Sequence, residues 1–226
     1  MPAKPQQLVF ELPHRPALGF EDFLVSESNA AAVALVDRWP DWPVGAAIIC
    51  GRPGSGKSHL ANVWRLRSGG DTIAANAITK DAVPDLASHA ALIVEDVEAT
   101  RDQAALFHLL NLVREQRLAM LLTSSNPPGE LTLSLPDLTS RLKALPLAAI
   151  APPDDALLRA VLVKLFADRQ LAIEPHIVDY VVLRMERSMA AAQRIVAEID
   201  RQALIRQKPV TRPVVAAVLE ALARRA

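Results

Sequence analysis

Several features are scarce in this sequence, and each scarcity narrows what the protein can be. Cys50 is the only cysteine among 226 residues, so a disulfide or a thiolate metal site within the chain is excluded and a buried, apolar thiol is expected. Basic and acidic residues number 25 each, so no overall charge attracts nucleic acid or an anionic membrane. The N-terminus lacks an apolar signal-peptide region, and no apolar run reaches the roughly 18 residues of a membrane span. These absences predict a cytoplasmic protein that does not bind a membrane.

Apolar runs alternate with helical patterns between residues 45 and 150, which predicts an α/β fold with a parallel sheet flanked by helices. The predicted strands are 46–50, 72–75, 91–94, 118–123 and 147–150. After residue 153 the strand-like runs end and amphipathic helices follow. Their approximate ranges are 154–169, 175–187, 189–207 and 211–224. We therefore expect a Pro-rich, extended arm at 1–18, an α/β domain at 19–151 and a small all-α lid domain at 152–226.

A complete phosphate-binding loop, G-x-x-x-x-G-K-S, follows the first predicted strand and precedes a stretch with helical spacing. Glycines allow successive backbone N–H groups to face a β-phosphate, and the helix N-terminus adds partial positive charge. Lys57 is expected to reach the β- and γ-phosphate oxygens, and Ser58 to bind Mg²⁺. The residues predicted to bind the nucleotide are Gly51, Pro53, Gly54, Ser55, Gly56, Lys57, Ser58 and His59. The alternative is a glycine-rich turn that only happens to precede a helix.

Two other predicted strands end in polar residues. Glu95 and Asp96 follow an apolar strand, and because Mg²⁺ prefers oxygen ligands, Glu95 is predicted on the magnesium side and Asp96 as the group that orients water. A strand end of this kind, taken alone, is usually only solvated. Ser125 and Asn126 end the fourth strand and are candidates to sense a γ-phosphate. A polar turn before two prolines explains them equally well.

In the order and spacing of short strings, the chain resembles AAA+ proteins of the DnaA family, and more closely their short, Hda-type relatives. The strings are GFEDFLV at 19–25 with Ser28-Asn29, LLTSSNPP at 121–128, LPDLTSRL at 135–142 and MERS at 185–188. The resemblance spans nearly the whole chain and implies an AAA+ domain that binds ATP or ADP with Mg²⁺. It implies that 19–25 lies beside the adenine and that 121–126 is the sensor I strand. Arg141 matches the arginine finger, which acts in trans; a surface arginine paired with Asp137 is the alternative.

The arm contains a further resemblance. The string QLVFEL at 7–12 is similar to the peptide with which Hda-type proteins bind the sliding clamp of the replicative polymerase. Gln7 would hydrogen-bond at the rim of the clamp pocket, while Leu8, Phe10 and Leu12 would fill it. In the alternative interpretation the arm folds these apolar residues onto the sheet.

The sequence departs from the family at two positions. Glu95 stands where the family usually has Asp, so we expect at most weak intrinsic ATP hydrolysis. The position of the sensor II arginine falls within the alanines at 190–192. Arg194 lies three to four residues further along the same helical face, where it is either a substitute or a solvated charge of the lid.

The resemblance implies a regulator that docks on the DNA-loaded clamp and stimulates hydrolysis of DnaA-bound ATP, which lowers replication initiation. Its partners are DnaA and the clamp; DNA is contacted only through the clamp, and a homo-oligomer is compatible with the sequence. The chain ends just after the lid, and the segment between the loop and residue 92 is short, so we expect neither a duplex-reading domain nor a single-strand-binding insertion. The main alternative is a self-contained AAA+ loader or remodeller that hydrolyses its own ATP with Glu95 and Asp96. A pure DNA-binding module is disfavoured by the zero net charge.

Overall fold

A computed structural model of the chain describes residues 24–206 and 210–224. They belong to two compact units, one formed by residues 27–152 and the other by residues 24–26, 153–206 and 210–224. The arm at 1–18 lies outside the described residues, so the clamp motif stays a prediction. Residues 19–23 of the string at 19–25 also lie outside the described residues.

The first unit contains a five-stranded parallel sheet with the strand order β2-β3-β4-β1-β5. The strands are β1 Ala46–Gly51, β2 Asp71–Ala74, β3 Ala91–Glu95, β4 Ala119–Ser124 and β5 Leu147–Ile150. In the registers, Ala46 of β1 pairs with Met120 of β4, and Ile48 pairs with Leu147 of β5. The predicted parallel sheet is confirmed, and each strand differs from its predicted range by at most one residue at either end. The register also places β4 between β1 and β3.

Helices cover both faces of the sheet. Those of the first unit are α1 Ala30–Asp37, α2 Lys57–Ser68, α3 Val83–Leu86, α4 Gln103–Gln116 and α5 Pro136–Lys143. On one face, Leu109 of α4 and Leu138 of α5 pack with alternate residues of the central strands, including Ile48 of β1. Trp64 of α2 is fully buried outside that cluster, and α2 contacts β1, β3 and β4. The helix that follows the phosphate-binding loop and the helix that carries Arg141 therefore lie on opposite faces of the sheet.

Cys50 lies near the end of β1 and is buried as a free thiol, as the sequence predicts. Burial raises the pKa of this thiol above its usual value, and the carboxylate of Glu130 raises it further, whereas a backbone hydrogen bond and the ammonium of Lys57 act in the opposite direction. The thiol therefore packs in the core as an apolar side chain and is not suited to act as a nucleophile.

The second unit is all-helical, with α6 Asp155–Asp168, α7 Pro175–Val182, α8 Met189–Arg206 and α9 Arg212–Ala223. The carboxylate of Asp154 accepts the N–H of Leu157 at 2.7 Å and begins α6, as predicted. Leu158, Phe166, Val181, Val196 and Val215 lie in its core. None of the described helices is long and apolar enough to cross a membrane.

The predicted helix over 175–187 is too long at its C-terminal end, because α7 ends at Val182. The side chain of Ser188 accepts the N–H of Ala191 at 3.1 Å and thus caps α8. An N-cap residue has non-helical dihedral angles, so the chain must leave the helix before Ser188.

Candidate functional site

The loop at 51–58 carries the chain from the end of β1 into the start of α2. Gly54 and Gly56 have φ values of 75° and 107°, in the left-handed region where a side chain is strained. A Cβ on Gly51 would lie 2.7 Å from the carbonyl oxygen of Ile150 and 2.8 Å from the Oγ of Ser55. The first N–H groups of a helix have no partner within the helix, and a helix N-terminus therefore favours a bound anion. The loop is a tight backbone turn that ends at a helix N-terminus.

Lys57 is buried at the start of α2, with 7% of the residue exposed. Its ammonium donates to the carbonyl oxygen of Gly51 at 2.7 Å and to that of Arg52 at 3.3 Å. Lys57 forms no ion pair within the part of the chain that the structure describes. Burial of a cation that only neutral oxygens contact is costly, and an anion bound at the loop would reduce that cost.

Ser55 supplies a second indication of a missing ligand. Its hydroxyl oxygen is buried and has no hydrogen-bond partner among the described residues. A buried hydroxyl in this state costs about 1–3 kcal/mol. A Cβ added to Gly56 would meet no atom within 4 Å, so the loop has open space beside it. A phosphate group fits the chemistry of this loop, since it accepts hydrogen bonds from hydroxyl, ammonium and backbone N–H groups alike.

Ser58 and His59 lie exposed in the first turn of α2. Among residues 24–206 and 210–224, no cluster of three or more His, Cys, Asp or Glu side chains could hold a metal ion. Mg²⁺ is usually bound by one or two protein groups together with phosphate oxygens. The residues present therefore fit Mg²⁺ only jointly with a phosphate ligand, with Ser58 as the hydroxyl at the loop.

Glu95 and Asp96 lie at the end of β3, two strands from the loop with β4 between them. Asp96 has a φ of 57°, and its N–H donates to the Oγ1 of Thr123 on β4 at 3.2 Å. Desolvation raises the pKa of the Asp96 carboxyl, the carboxylates of Glu98 and Glu95 raise it further, and the ammonium of Lys57 opposes them. The β3 carboxylates and the lysine of the loop thus share one electrostatic environment.

The polar end of β4 is more engaged than its sequence suggests. Both the hydroxyl and the backbone N–H of Ser125 donate to the carboxylate of Glu98, the N–H at 3.0 Å. Asn126 is exposed, and its N–H donates to the Oγ of Ser124 at 3.3 Å. Of the two sensor candidates, Ser125 is therefore already hydrogen-bonded to Glu98, whereas Asn126 is exposed.

Sequence reasoning missed Thr123 and Glu98 as members of this site. Thr123 is 1% exposed, and its hydroxyl joins β4 to the turn at Asp96. Its only signal in the sequence was a hydroxyl at the end of an apolar run. Glu98 had no signal at all, because its contact with Ser125 joins residues 27 positions apart.

Arg141 lies half-buried on α5. Its Nη2 donates to the Oδ1 of Asn111 on α4 at 2.7 Å, and its guanidinium carbon lies 5.9 Å from the centre of the Phe107 ring. Arg141 makes no ion pair with any described residue, so the pairing with Asp137 considered above is not the contact that the structure records. The guanidinium is fixed in place but keeps its charge.

Arg194 lies on α8, where its Nη2 is 3.3 Å from a carboxylate oxygen of Glu186. Its side chain is 62% exposed. Exposed pairs of this kind contribute about 0–1 kcal/mol. Ala191 and Ala192, at the expected place of the sensor II arginine, are buried in the core of the lid. Within the lid, Arg194 is therefore a solvent-exposed residue that is ion-paired with Glu186.

Comparison with known proteins shows what this chain resembles. The model of the Hda lid domain matches residues 155–219. The chromosomal replication initiator protein DnaA of Cutibacterium acnes is 24% identical over 222 residues, which cover 86% of this chain and 44% of the initiator. The chain thus spans less than half the length of this curated relative.

Solved structures show the same fold. Domain III of DnaA from Thermotoga maritima aligns with a TM-score of 0.78 and 18% identity, over 92% of this chain and 98% of that one. DnaA from Aquifex aeolicus, bound to AMPPCP, aligns with a TM-score of 0.68 and 20% identity, over 82% of this chain and 65% of that one. The chain therefore has the fold of DnaA domain III, and its residues 155–219 match the lid domain of the Hda family.

Proposed function

We propose that the protein is a nucleotide-binding regulator of replication initiation that stimulates hydrolysis of DnaA-bound ATP. The observation that carries this proposal is the combination, in one chain, of a phosphate-binding loop and a lid that matches the Hda family. The resemblance of the sequence to Hda-type proteins supplies DnaA and the sliding clamp as partners.

The nucleotide is ATP or ADP, bound at 51–58. Support comes from the buried, unpaired hydroxyl of Ser55 and from Lys57, which only neutral oxygens contact. Phosphate oxygens would replace the carbonyl oxygen of Gly51 as the partner of the Lys57 ammonium. The Aquifex DnaA to which the chain is similar is described as bound to AMPPCP, an ATP analogue.

Mg²⁺ would be held by the Ser58 hydroxyl and, from β3, by the Glu95 carboxylate, and it would neutralise charge on the phosphates. The neighbouring Asp96 would orient water. Two features support weak intrinsic hydrolysis. Glu95 is longer than the Asp usual in this family, and the hydroxyl of Ser125 is already bonded to Glu98. Asn126, with its exposed side chain, is the better candidate to sense a γ-phosphate.

Arg141 is the group proposed to act on DnaA-bound ATP. Its helix, α5, covers the face of the sheet opposite to α2, which supports action on a neighbouring subunit rather than on nucleotide bound at Lys57. The guanidinium carries no ion pair with any described residue and so retains the charge that an arginine finger presents to a transferring phosphoryl group. The arm, through Gln7, Leu8, Phe10 and Leu12, would hold the protein on the DNA-loaded clamp.

A self-contained ATPase that loads or remodels a replication protein is the second candidate. The carboxylates of Glu95, Asp96 and Glu98 favour it, because they gather at the strand end that shares its electrostatic environment with Lys57. Such a protein would hydrolyse its own ATP without DnaA.

A reconstituted hydrolysis assay separates the two candidates. DnaA is loaded with labelled ATP, and conversion to ADP is followed with the regulator alone, with clamp-loaded DNA alone and with both. We expect acceleration only when both are present. A variant with Gln7, Leu8 and Phe10 replaced by Ala should lose this acceleration and clamp binding while keeping its melting temperature. Hydrolysis of the regulator's own ATP at an equal rate without DnaA would contradict the proposal.

A further inference from the structure

One face of α4 contacts the segment that carries Arg141. Gln103, Phe107 and Asn111 are spaced four residues apart, so they lie on the same face of the helix. The amide oxygen of Gln103 accepts the N–H of Leu135, the residue before the first turn of α5, at 2.9 Å. Phe107 and Asn111 contact the guanidinium of Arg141. The same face of α4 therefore holds α5 at its start and again at the arginine.

The contact with Asn111 orients the guanidinium without neutralising it. An arginine has five N–H donors, and one of those on Nη2 donates to the Oδ1 of Asn111 at 2.7 Å. No other hydrogen bond or ion pair of this guanidinium is recorded within residues 24–206 and 210–224. Enough donors remain for a two-point contact with a phosphoryl group. A carboxylate in place of the Asn111 amide would form a bond at least as strong, but it would cancel the charge.

Phe107 restricts the same group through a second contact. Its ring lies within reach of a cation–π interaction, with the guanidinium carbon 5.9 Å from the ring centre. A long side chain fixed by two contacts loses less rotational freedom when it reaches a reacting group than one that is free in solvent.

We propose that Asn111 is a positioning residue for Arg141, and that its neutrality is what allows the arginine to act on a phosphoryl group of a partner. This proposal rests on the proposed function of Arg141. It assigns a role to an uncharged residue that is separated from the arginine by 30 positions in the sequence.

Two substitutions at one position test the proposal. Asn111→Ala removes the acceptor and should lower the maximal rate of stimulated hydrolysis of DnaA-bound ATP about 10- to 100-fold, with little change in the half-saturating concentration. Asn111→Asp preserves the shape and the hydrogen bond but pairs the arginine with a negative charge. It should therefore lower the maximal rate at least as much as Asn111→Ala, while its melting temperature equals or exceeds that of the wild type.

A purely structural contact predicts the opposite ranking, because Asn111→Asp keeps the hydrogen bond that Asn111→Ala loses. The matched control is Asn62 on α2, an exposed asparagine whose Oδ1 accepts from the Nε of Arg65 at 3.0 Å. Asn62→Ala and Asn62→Asp should leave the stimulated rate unchanged, and an equal loss in these variants would overturn the proposal.

The assay also separates this proposal from the proposed function. If the wild type accelerates hydrolysis and Asn111→Asp does so equally, the role of Asn111 is wrong while the regulator stands. If the wild type, present with clamp and DNA, gives no acceleration, both proposals fall.

Discussion

Two cations of the α/β unit that we propose to contact phosphate, Lys57 and Arg141, have different partners from several arginines of the lid. Lys57 and Arg141 donate to neutral oxygens: Lys57 to two backbone carbonyls and Arg141 to a side-chain amide. In the lid, carboxylates lie within 4 Å of Arg159, Arg187 and Arg194. Both arrangements fix a long side chain, but only the first leaves its positive charge uncompensated.

The neutral or charged nature of its partner determines whether a positive side chain is suited to bind phosphate. A neutral acceptor orients a cation and keeps its field, whereas a carboxylate competes directly with an incoming anion. We therefore expect Lys57 and Arg141 to be functional, and Arg194 to be a surface residue rather than a replacement for the sensor II arginine.

The largest effect is expected at Arg141. Arginine fingers contribute roughly 10³–10⁵-fold in rate, so Arg141→Ala should remove nearly all stimulated hydrolysis of DnaA-bound ATP. Binding of nucleotide and clamp should be unchanged, as checked by calorimetry and by clamp pull-down. Full stimulation by this variant would show that the uncompensated charge on α5 is not an arginine finger.

A smaller loss is expected when the cation of the loop is removed. Lys57→Ala leaves the backbone turn intact but takes away the ammonium that would contact the phosphates, so affinity for ATP and ADP should fall at least about 100-fold. Isothermal titration provides the measurement. Arg67→Ala is the control, because the Arg67 guanidinium lies 3.7 Å from a carboxylate oxygen of Asp37. Unchanged affinity in Lys57→Ala would exclude the loop as the binding site.

Asp96 should make stability depend on pH. Desolvation and neighbouring carboxylates raise its pKa in the folded protein, so folding disfavours the ionised carboxylate relative to the unfolded chain. The resulting stabilisation is complete below the ordinary Asp value of about 3.9 and is lost as the pH rises through the folded-state pKa. Asp96→Asn should thus melt at a higher temperature than the wild type at pH 7, and the difference should shrink as the pH is lowered towards 4. The same difference at both pH values would contradict the assignment; Asp81→Asn, on the surface, is the control.

The smallest effect is expected at Arg194. Its exposed pair with Glu186 contributes about 0–1 kcal/mol, and Arg194→Ala should change the affinity for ATP relative to ADP less than about twofold. Titration of both nucleotides into the variant measures this ratio. A selective loss of ATP affinity would show that Arg194 has the sensor II role despite its ion pair.

The central strands β1, β3 and β4 could be predicted from the sequence because they are buried on both faces and read as unbroken apolar runs. Ile48 and Leu122, for example, lie in runs that the sequence bounds to within one residue. The loop at 51–58 could be predicted equally well, because its glycines and Lys57 stand at the fixed positions of the G-x-x-x-x-G-K-S motif.

The sequence could not predict which cations contact a neutral acceptor and which contact a carboxylate. Whether Arg141 meets Asp137 on its own helix or Asn111 on a neighbouring one depends on how α4 and α5 pack, which no local pattern records. The hydrogen bond between Ser125 and Glu98 likewise depends on tertiary packing, because it joins residues that are distant in the sequence. The end of α7 was missed for a related reason, because the capping role of Ser188 becomes evident only from its hydrogen bond.

Fixing the nucleotide of the regulator itself shows whether Arg141 acts on ATP bound to DnaA. The regulator is saturated with AMPPCP, freed of excess analogue and mixed with clamp-loaded DNA and DnaA that carries labelled ATP. A single-turnover time course then follows the label. We expect the labelled ATP to be hydrolysed as fast as with ATP-loaded regulator, and to stay intact with Arg141→Ala. Loss of hydrolysis whenever the regulator holds AMPPCP would contradict the claim, because the reaction would then depend on the nucleotide of the regulator itself.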